Sequence, residues 1–280
     1  MRNYQDEAVV IRQHKLGEAD RIITFLTAEH GLVRGVAKGI RRTRSKFGAR
    51  LEPFAHVHVN FYLGRDLDTV TQVHTIHAFS EAMAQDYARY TTACAVLETA
   101  ERLAGEERVP ARQLYRLTVG ALTALAEDRR ATQLILDAFL LRAMGSAGWM
   151  PALDLCARCA EPGPHKAFSP AAGGAVCTLC RPAGSATPPA GVTELMEALV
   201  QGRWDAVGET TASQQQHATG LIAAHLQWHL ERRLRTLPLI ERRIPAGAAV
   251  GSPLFGARIP GDPTPDTGVE TGVERSVTTA

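Results

Sequence analysis

At 280 residues and 45% hydrophobic content, the chain has material for two soluble domains with ordinary cores. Its formal net charge of +2 decides nothing alone, so the distribution of charge has to be read. No apolar run is long enough to cross a bilayer, and Asp6 and Glu7 stand where a secretory leader would be basic and then apolar, so the expected setting is cytoplasmic, with no membrane partner.

From Glu7 to about Ile76 the pattern is short β-type runs broken by turn residues. It predicts strands over Ala8–Leu16, Arg21–Ala28, Leu32–Ala37, Phe54–Leu63 and Asp68–Ile76, with turns at Gly17-Glu18-Ala19-Asp20, His30-Gly31 and Gly64-Arg65-Asp66. Five short strands in about 70 residues imply a small barrel or sandwich, and an OB-like barrel fits best by strand count and length. Periodicity alone leaves an SH3-like barrel open.

Between the third and fourth predicted strands, Arg34, Lys38, Arg41, Arg42, Arg44, Lys46 and Arg50 follow one another with no acid among them. Residues 1–80 carry 12 Lys and Arg against 8 Asp and Glu, a balance of +4, so the other residues sum to −2. Such a focused run is either a solvated loop or a segment that tracks phosphates beside a barrel face. On the second reading Arg34, Lys38, Arg41, Arg42, Arg44, Lys46 and Arg50 bind DNA, with Phe47 stacking on a base. His56 and His58 alternate with Val57 and Val59, which predicts that both imidazoles share a half-exposed strand face rather than a metal.

After Ser80 the period becomes helical. Glu81–Leu103, opened by Ser80 as N-cap, then a helix from Pro110 to about Ala126 and a third over Arg130–Met144 read as amphipathic bundle helices. Cys94 lies inside the first of them as a small apolar residue. Downstream, Gly184-Ser185-Ala186-Thr187-Pro188-Pro189 reads as a linker, followed by helices from about Thr193 to Gln201 and from about Ala212 to Leu237. The last contains His225 and His229 four apart, but Leu226 stands where a metalloprotease helix needs Glu, so these rings and Trp228 are expected to pack or to face a partner. Beyond Ile244 large apolar residues almost vanish, so residues 246–280 are expected to form a disordered tail.

Four of the five cysteines fall in two C-x2-C pairs, Cys156/Cys159 and Cys177/Cys180. Each such turn points both thiolates to one side, and the gap between the pairs suits one tetrahedral ion. The intervening Pro162, Gly163, Pro164, Pro170, Gly173 and Gly174 leave no room for a long helix or strand, so a metal would replace the core this segment lacks. Paired disulfides suit a small secreted domain, a redox C-x-x-C sits near a βαβ pattern, and a catalytic zinc keeps one position open. None of these matches the chain as well as a structural zinc. No phosphate-binding loop, dinucleotide fingerprint or nucleophile elbow occurs, so no enzyme is expected.

These pieces resemble a known family as a set. Gly17-Glu18-Ala19-Asp20-Arg21-Ile22, Gly31-Leu32-Val33-Arg34-Gly35-Val36-Ala37-Lys38-Gly39, Ser45 and Leu51-Glu52-Pro53-Phe54 are similar to the barrel domain of the bacterial recombination mediators of the RecO family. Phe139-Leu140-Leu141-Arg142, Gly148-Trp149-Met150-Pro151, Leu153-Asp154 and the two cysteine pairs, with Phe168-Ser169-Pro170 and Gly173-Gly174 between them, resemble that family's helical domain and zinc motif. The resemblance implies an α+β fold class: an OB-fold barrel over 1–79, then an all-α helical domain over 80–245 with a zinc-binding insert at 156–180. It further implies a nucleoid-associated protein that binds single-stranded DNA, and double-stranded DNA more weakly. Such a protein anneals complementary strands without a nucleotide and acts with RecR and the single-strand-binding protein SSB to help load RecA. The alternative is a protein-interaction adaptor whose zinc-bearing helical domain docks SSB or RecR, with DNA contact secondary.

Overall fold

In the computed structural model, which describes residues 2–230 and 233–241, the N-terminal strands are β1 (Asn3–Leu16), β2 (Asp20–Thr27), β3 (Gly31–Ala37), β4 (Ala55–Tyr62) and β5 (Asp68–Ala78). They close into a barrel in the order β1-β2-β3-β5-β4, with β1 pairing antiparallel to β4 and β3 parallel to β5. A three-strand meander closed through one parallel pair is the Greek-key barrel of the OB fold, and this pairing removes the SH3-like alternative. β1 begins five residues before the predicted Ala8 because its N-terminal half pairs with β4 and its C-terminal half with β2. The register shifts between Val10 and Arg12.

Strand alternation sorts the side chains of β1 ahead of that shift. Ala8 and Val10 enter the barrel interior with Phe25, Val57 and Phe61, whereas Val9 and Ile11 point outward and join the core of the helices together with Leu26, Leu32 and Phe54. One outer face of the barrel is therefore apolar and covered. Gly31 is required at this seam: its φ is +66°, and a Cβ there would lie 1.8 Å from the Val109 carbonyl oxygen. His56 also lies on the outer surface, as alternation predicts, but the expected half-exposure is corrected. It is 6% exposed, because α3 lies over it and the Tyr115 hydroxyl meets its Nε2 at 2.8 Å.

The helices are α1 (Phe79–Ala84), α2 (Tyr87–Leu103), α3 (Arg112–Glu127), α4 (Thr132–Ser146), α5 (Val192–Gln201), α6 (Trp204–Gly208), α7 (Ala212–His229) and α8 (Leu237–Glu241). The single helix expected over 81–103 is two, because Asp86 takes extended backbone and its carboxylate accepts the Arg89 amide to start α2 afresh. Ser80 is not the cap; Ala78 precedes α1 without a side-chain cap. α4 is not amphipathic, since Ile135 through Leu141 are buried without a break. It is the central helix, with α2, α3, α5 and α7 around it. The last predicted helix ends at His229, where Leu230 turns extended, instead of running to Leu237. The expectation of a disordered tail over 246–280 lies outside the described residues.

Candidate metal centre and nucleic-acid interface

Between α4 and α5 two short strands, β6 (Ala167–Ser169) and β7 (Gly174–Val176), pair antiparallel. β7 leads directly into the second cysteine turn. Ala157 donates to the Ala175 carbonyl at 2.8 Å, and Ala175 donates to Ala152 at 2.8 Å, so the first turn is laid directly on β7. Gly174, with φ +139°, permits this approach, since a Cβ would sit 2.3 Å from the Ala152 oxygen. The segment's own apolar cluster holds only Cys156, Ala167 and Val176 as buried members. Phe168 instead reaches the helical core, edge-on to His225, and Ala186 exchanges two backbone hydrogen bonds of 2.9 Å with Phe168. The stretch expected to be a linker is thus pinned at one residue.

The sulfur atoms of Cys156, Cys159, Cys177 and Cys180 all lie within 4.8 Å of one another, and those of Cys159 and Cys177 are 3.8 Å apart. A tetrahedron with metal–sulfur bonds of about 2.3 Å has edges of about 3.8 Å, so the donor set fits one four-coordinate ion. The Cys177 amide lies 3.4 Å from the Cys156 sulfur and is the main cause of that thiol's lowering to about 6. The hydrogen bonds of Cys159 and Cys177 push Cys180 up to about 12. Crowded thiols resist joint ionisation, and a bound dication removes that resistance. Among the described residues no other cluster of three or more His, Cys, Asp or Glu offers such a donor set.

The basic segment folds as a series of turns over residues 38–46, followed by a single 3-10 turn, Gly48–Leu51. It is fastened to the barrel at both ends. Gly39 donates to the Asp20 carboxylate at 2.7 Å, Arg41 donates from backbone and side chain to Ala19 and Glu18, and Lys46 Nζ reaches the Thr71 carbonyl at 2.9 Å. Lys38, Arg41, Arg42, Arg44, Lys46 and Arg50 are exposed. Arg34 stands apart on β3, where its guanidinium meets Glu107 at 2.5 Å.

Phe47 is corrected. The ring is 1% exposed and sits in the barrel core beside Leu51, so it has no free face for a base. It is the apolar anchor that holds the loop down, while Lys46 lies over its outer side at 5.0 Å.

Sequence reading missed the neighbours of this loop on β5. Thr71, Gln72, Val73, His74 and Thr75 join Lys46, Phe47 and Arg50 around a groove of about 380 Å3. The polar run Thr71, Gln72, His74 and Thr75 was the available signal, but the pairing of loop and strand is long-range. His225 and His229 pack, as expected: His225 is 1% exposed with Nε2 3.0 Å from the Trp149 carbonyl, and His229 stacks on Trp149 at 5.2 Å. Trp228 is exposed. No helix among the described residues is long and apolar enough to cross a membrane.

Family comparison agrees with both halves. The family model described as Recombination protein O N terminal matches residues 1–79, and that described as Recombination protein O C terminal matches residues 84–238.

Proposed function

The chain belongs to the recombination protein O family, whose members are mediators in DNA repair and recombination, and on that premise we propose that it binds single-stranded DNA and anneals complementary strands. With RecR it helps load RecA onto SSB-coated DNA. The observation that carries DNA binding is the set of six exposed cations on one acid-free loop, Lys38, Arg41, Arg42, Arg44, Lys46 and Arg50, fastened to a barrel by the buried Phe47. Cations held in fixed positions neutralise phosphates and release counterions, and that supplies affinity without reading sequence. Arg34 contributes less than the others, because Glu107 already balances it.

Annealing requires no catalysis. Base pairing drives the reaction, and the protein has to lower phosphate repulsion while bringing two strands together. The pure protein is therefore expected to anneal complementary oligonucleotides at full rate without ATP. A nucleotide requirement would overturn the reading. Replacing Arg41, Arg42 and Arg44 together by Ala is expected to flatten the plot of log affinity against log salt by roughly 2, at about 0.7 per phosphate contact. If the folded triple variant keeps both affinity and slope, the loop is only solvated surface.

We assign one structural zinc per chain to Cys156, Cys159, Cys177 and Cys180, because a closed four-sulfur shell suits that ion and leaves no open position for chemistry. A second reading has its own observation. Leu179, between the last two ligands, is 94% exposed, and Leu155 beside the first is also exposed. An apolar knuckle tip favours a protein partner such as RecR or SSB, with the zinc holding the tip in shape. A Leu179→Ser variant that still binds DNA but fails to anneal SSB-coated strands would favour this adaptor role.

A further inference from the structure

OB barrels usually present the outer face of strands 2 and 3 to a nucleic acid strand. Here much of that face is taken by the chain itself. Leu26 on β2 and Leu32 on β3 are buried in the core of the helices, the Arg108 amide donates to the Leu32 carbonyl at 2.9 Å, and Arg34 is paired with Glu107. A free concave surface lies elsewhere among the described residues, between the basic loop and β5.

The lining of that groove has a definite chemistry. Lys46 and Arg50 supply two cations, Thr71, Gln72, His74 and Thr75 supply polar groups, and no carboxylate is present. Its one benzene ring, that of Phe47, is 1% exposed and turned into the barrel. Sites that sequester single strands combine a cationic track with exposed aromatic platforms on which bases stack. This groove has the track, and the one exposed ring in its lining is the small imidazole of His74.

We propose that the groove between residues 46–50 and β5 holds a DNA single strand by its sugar–phosphate backbone alone, leaving the pairing edges of the bases free. The inference rests on the DNA-binding reading above and gives annealing its physical basis: a strand gripped through its bases must be released before it pairs, whereas a strand gripped by phosphates pairs while held. The two flanking rings that would contradict it are His74, within the groove, and Tyr62, which is exposed on the neighbouring strand β4.

The full-length protein is tested by fluorescence anisotropy with oligothymidylate and with an abasic oligomer of the same length and phosphate count. The two are expected to bind within about threefold of each other, since a stacked base would contribute on the order of tenfold by itself. Replacing Lys46 and Arg50 together by Gln is expected to weaken both ligands equally and to flatten the salt plot by about 1.4, two contacts' worth. His74→Ala and Tyr62→Ala are expected to leave the ratio of the two affinities unchanged. A loss of tenfold or more for the abasic oligomer, cancelled by either ring substitution, overturns the proposal. So does a folded Lys46/Arg50 variant with unchanged affinity for both ligands. In that case, weakened binding by the Arg41/Arg42/Arg44 variant leaves the DNA-binding loop standing and removes only the groove, whereas unchanged binding by both variants removes the loop as well.

Discussion

Asp137 is sealed in the middle of α4 with its side chain between Gln133, which donates to one oxygen at 3.0 Å, and Thr219 of α7, which donates to the other at 2.6 Å. Burial outweighs these donors and pushes the carboxyl up to about 7. The folded form therefore holds a proton that the unfolded form releases near 4, and stability falls as pH rises from about 4 to about 7. His225 works the other way. Burial lowers it to about 4, its Nδ1 has no partner among the described residues, and the unfolded imidazole gains a proton below about 6.5, so stability falls as pH drops from there. Across pH 4 to 6.5 the two slopes oppose each other. Asp137→Asn is expected to stabilise the protein above pH 7 by up to about 4 kcal/mol relative to its effect at pH 4, and His225→Gln to remove the acid-side loss; thermal melts across pH read both. Parallel profiles for parent and Asp137→Asn would show that this carboxyl is ionised in the fold. At this scale the sequence was legible where the signal is local: two C-x2-C turns announce four converging sulfurs. It was not legible at Phe47, because an aromatic ring in a cationic loop has the same local context whether it turns inward or outward. Asp137 is hidden for a related reason, since a lone acid in an apolar run gives no sign of whether it is capped, paired or buried.

The metal segment shows how far an element can lack a core and still be placed. Its buried cluster is three small residues, and its tie to the helices runs through Phe168 and Leu153. On the zinc assignment proposed above, most of its folding energy would come from the ion. Cys180→Ser is expected to abolish stoichiometric zinc and to raise amide exchange over 156–180 while the barrel amides stay protected. DNA affinity is expected to fall less than thermal stability. Purified protein with no zinc, prepared without chelators or oxidation, would remove the assignment. Among the helices, existence was legible from period and boundaries were not. The break at Asp86 depends on one side chain accepting a backbone amide, and α4 defies the amphipathic pattern because four other helices surround it. The strand order was beyond local reading too: the parallel β3–β5 pair that decides the barrel type joins Gly35 to Asp68 and Val36 to Thr69, more than thirty residues apart.

Among the described residues, barrel and helices form one compact unit, and their seam is both apolar and polar. Buried Asp68, 0% exposed, takes both oxygens to Arg108 at 2.8 Å and also receives the Gly64 amide and the Tyr4 hydroxyl. Arg12 pairs with Glu101 at 2.8 Å, and the Tyr115 hydroxyl bridges His56 and Glu7. The apolar part weighs more. Val9, Ile11, Leu26, Leu32 and Phe54 leave water against the helices, and at about 1.5–3 kcal/mol for each buried side chain they contribute on the order of 10 kcal/mol, as much as the whole stability of an ordinary domain. A fragment ending at residue 79 would expose all five and strand Asp68 without its guanidinium. The composition of the strands suggested a self-sufficient barrel, because outward apolar residues on a strand look the same whether they meet solvent or a helix. We expect the 1–79 fragment to be aggregated or to melt without cooperativity, while a variant of it with Val9, Ile11, Leu26 and Leu32 replaced by Thr or Lys gains solubility but little stability. DNA measurements on the barrel alone would then report on an unfolded polycation, whose affinity rises with charge and ignores the position of the arginines. A fragment that melts cooperatively within a few degrees of the full chain would show that the seam is a contact between two independent domains and that the five side chains contribute far less than their burial implies.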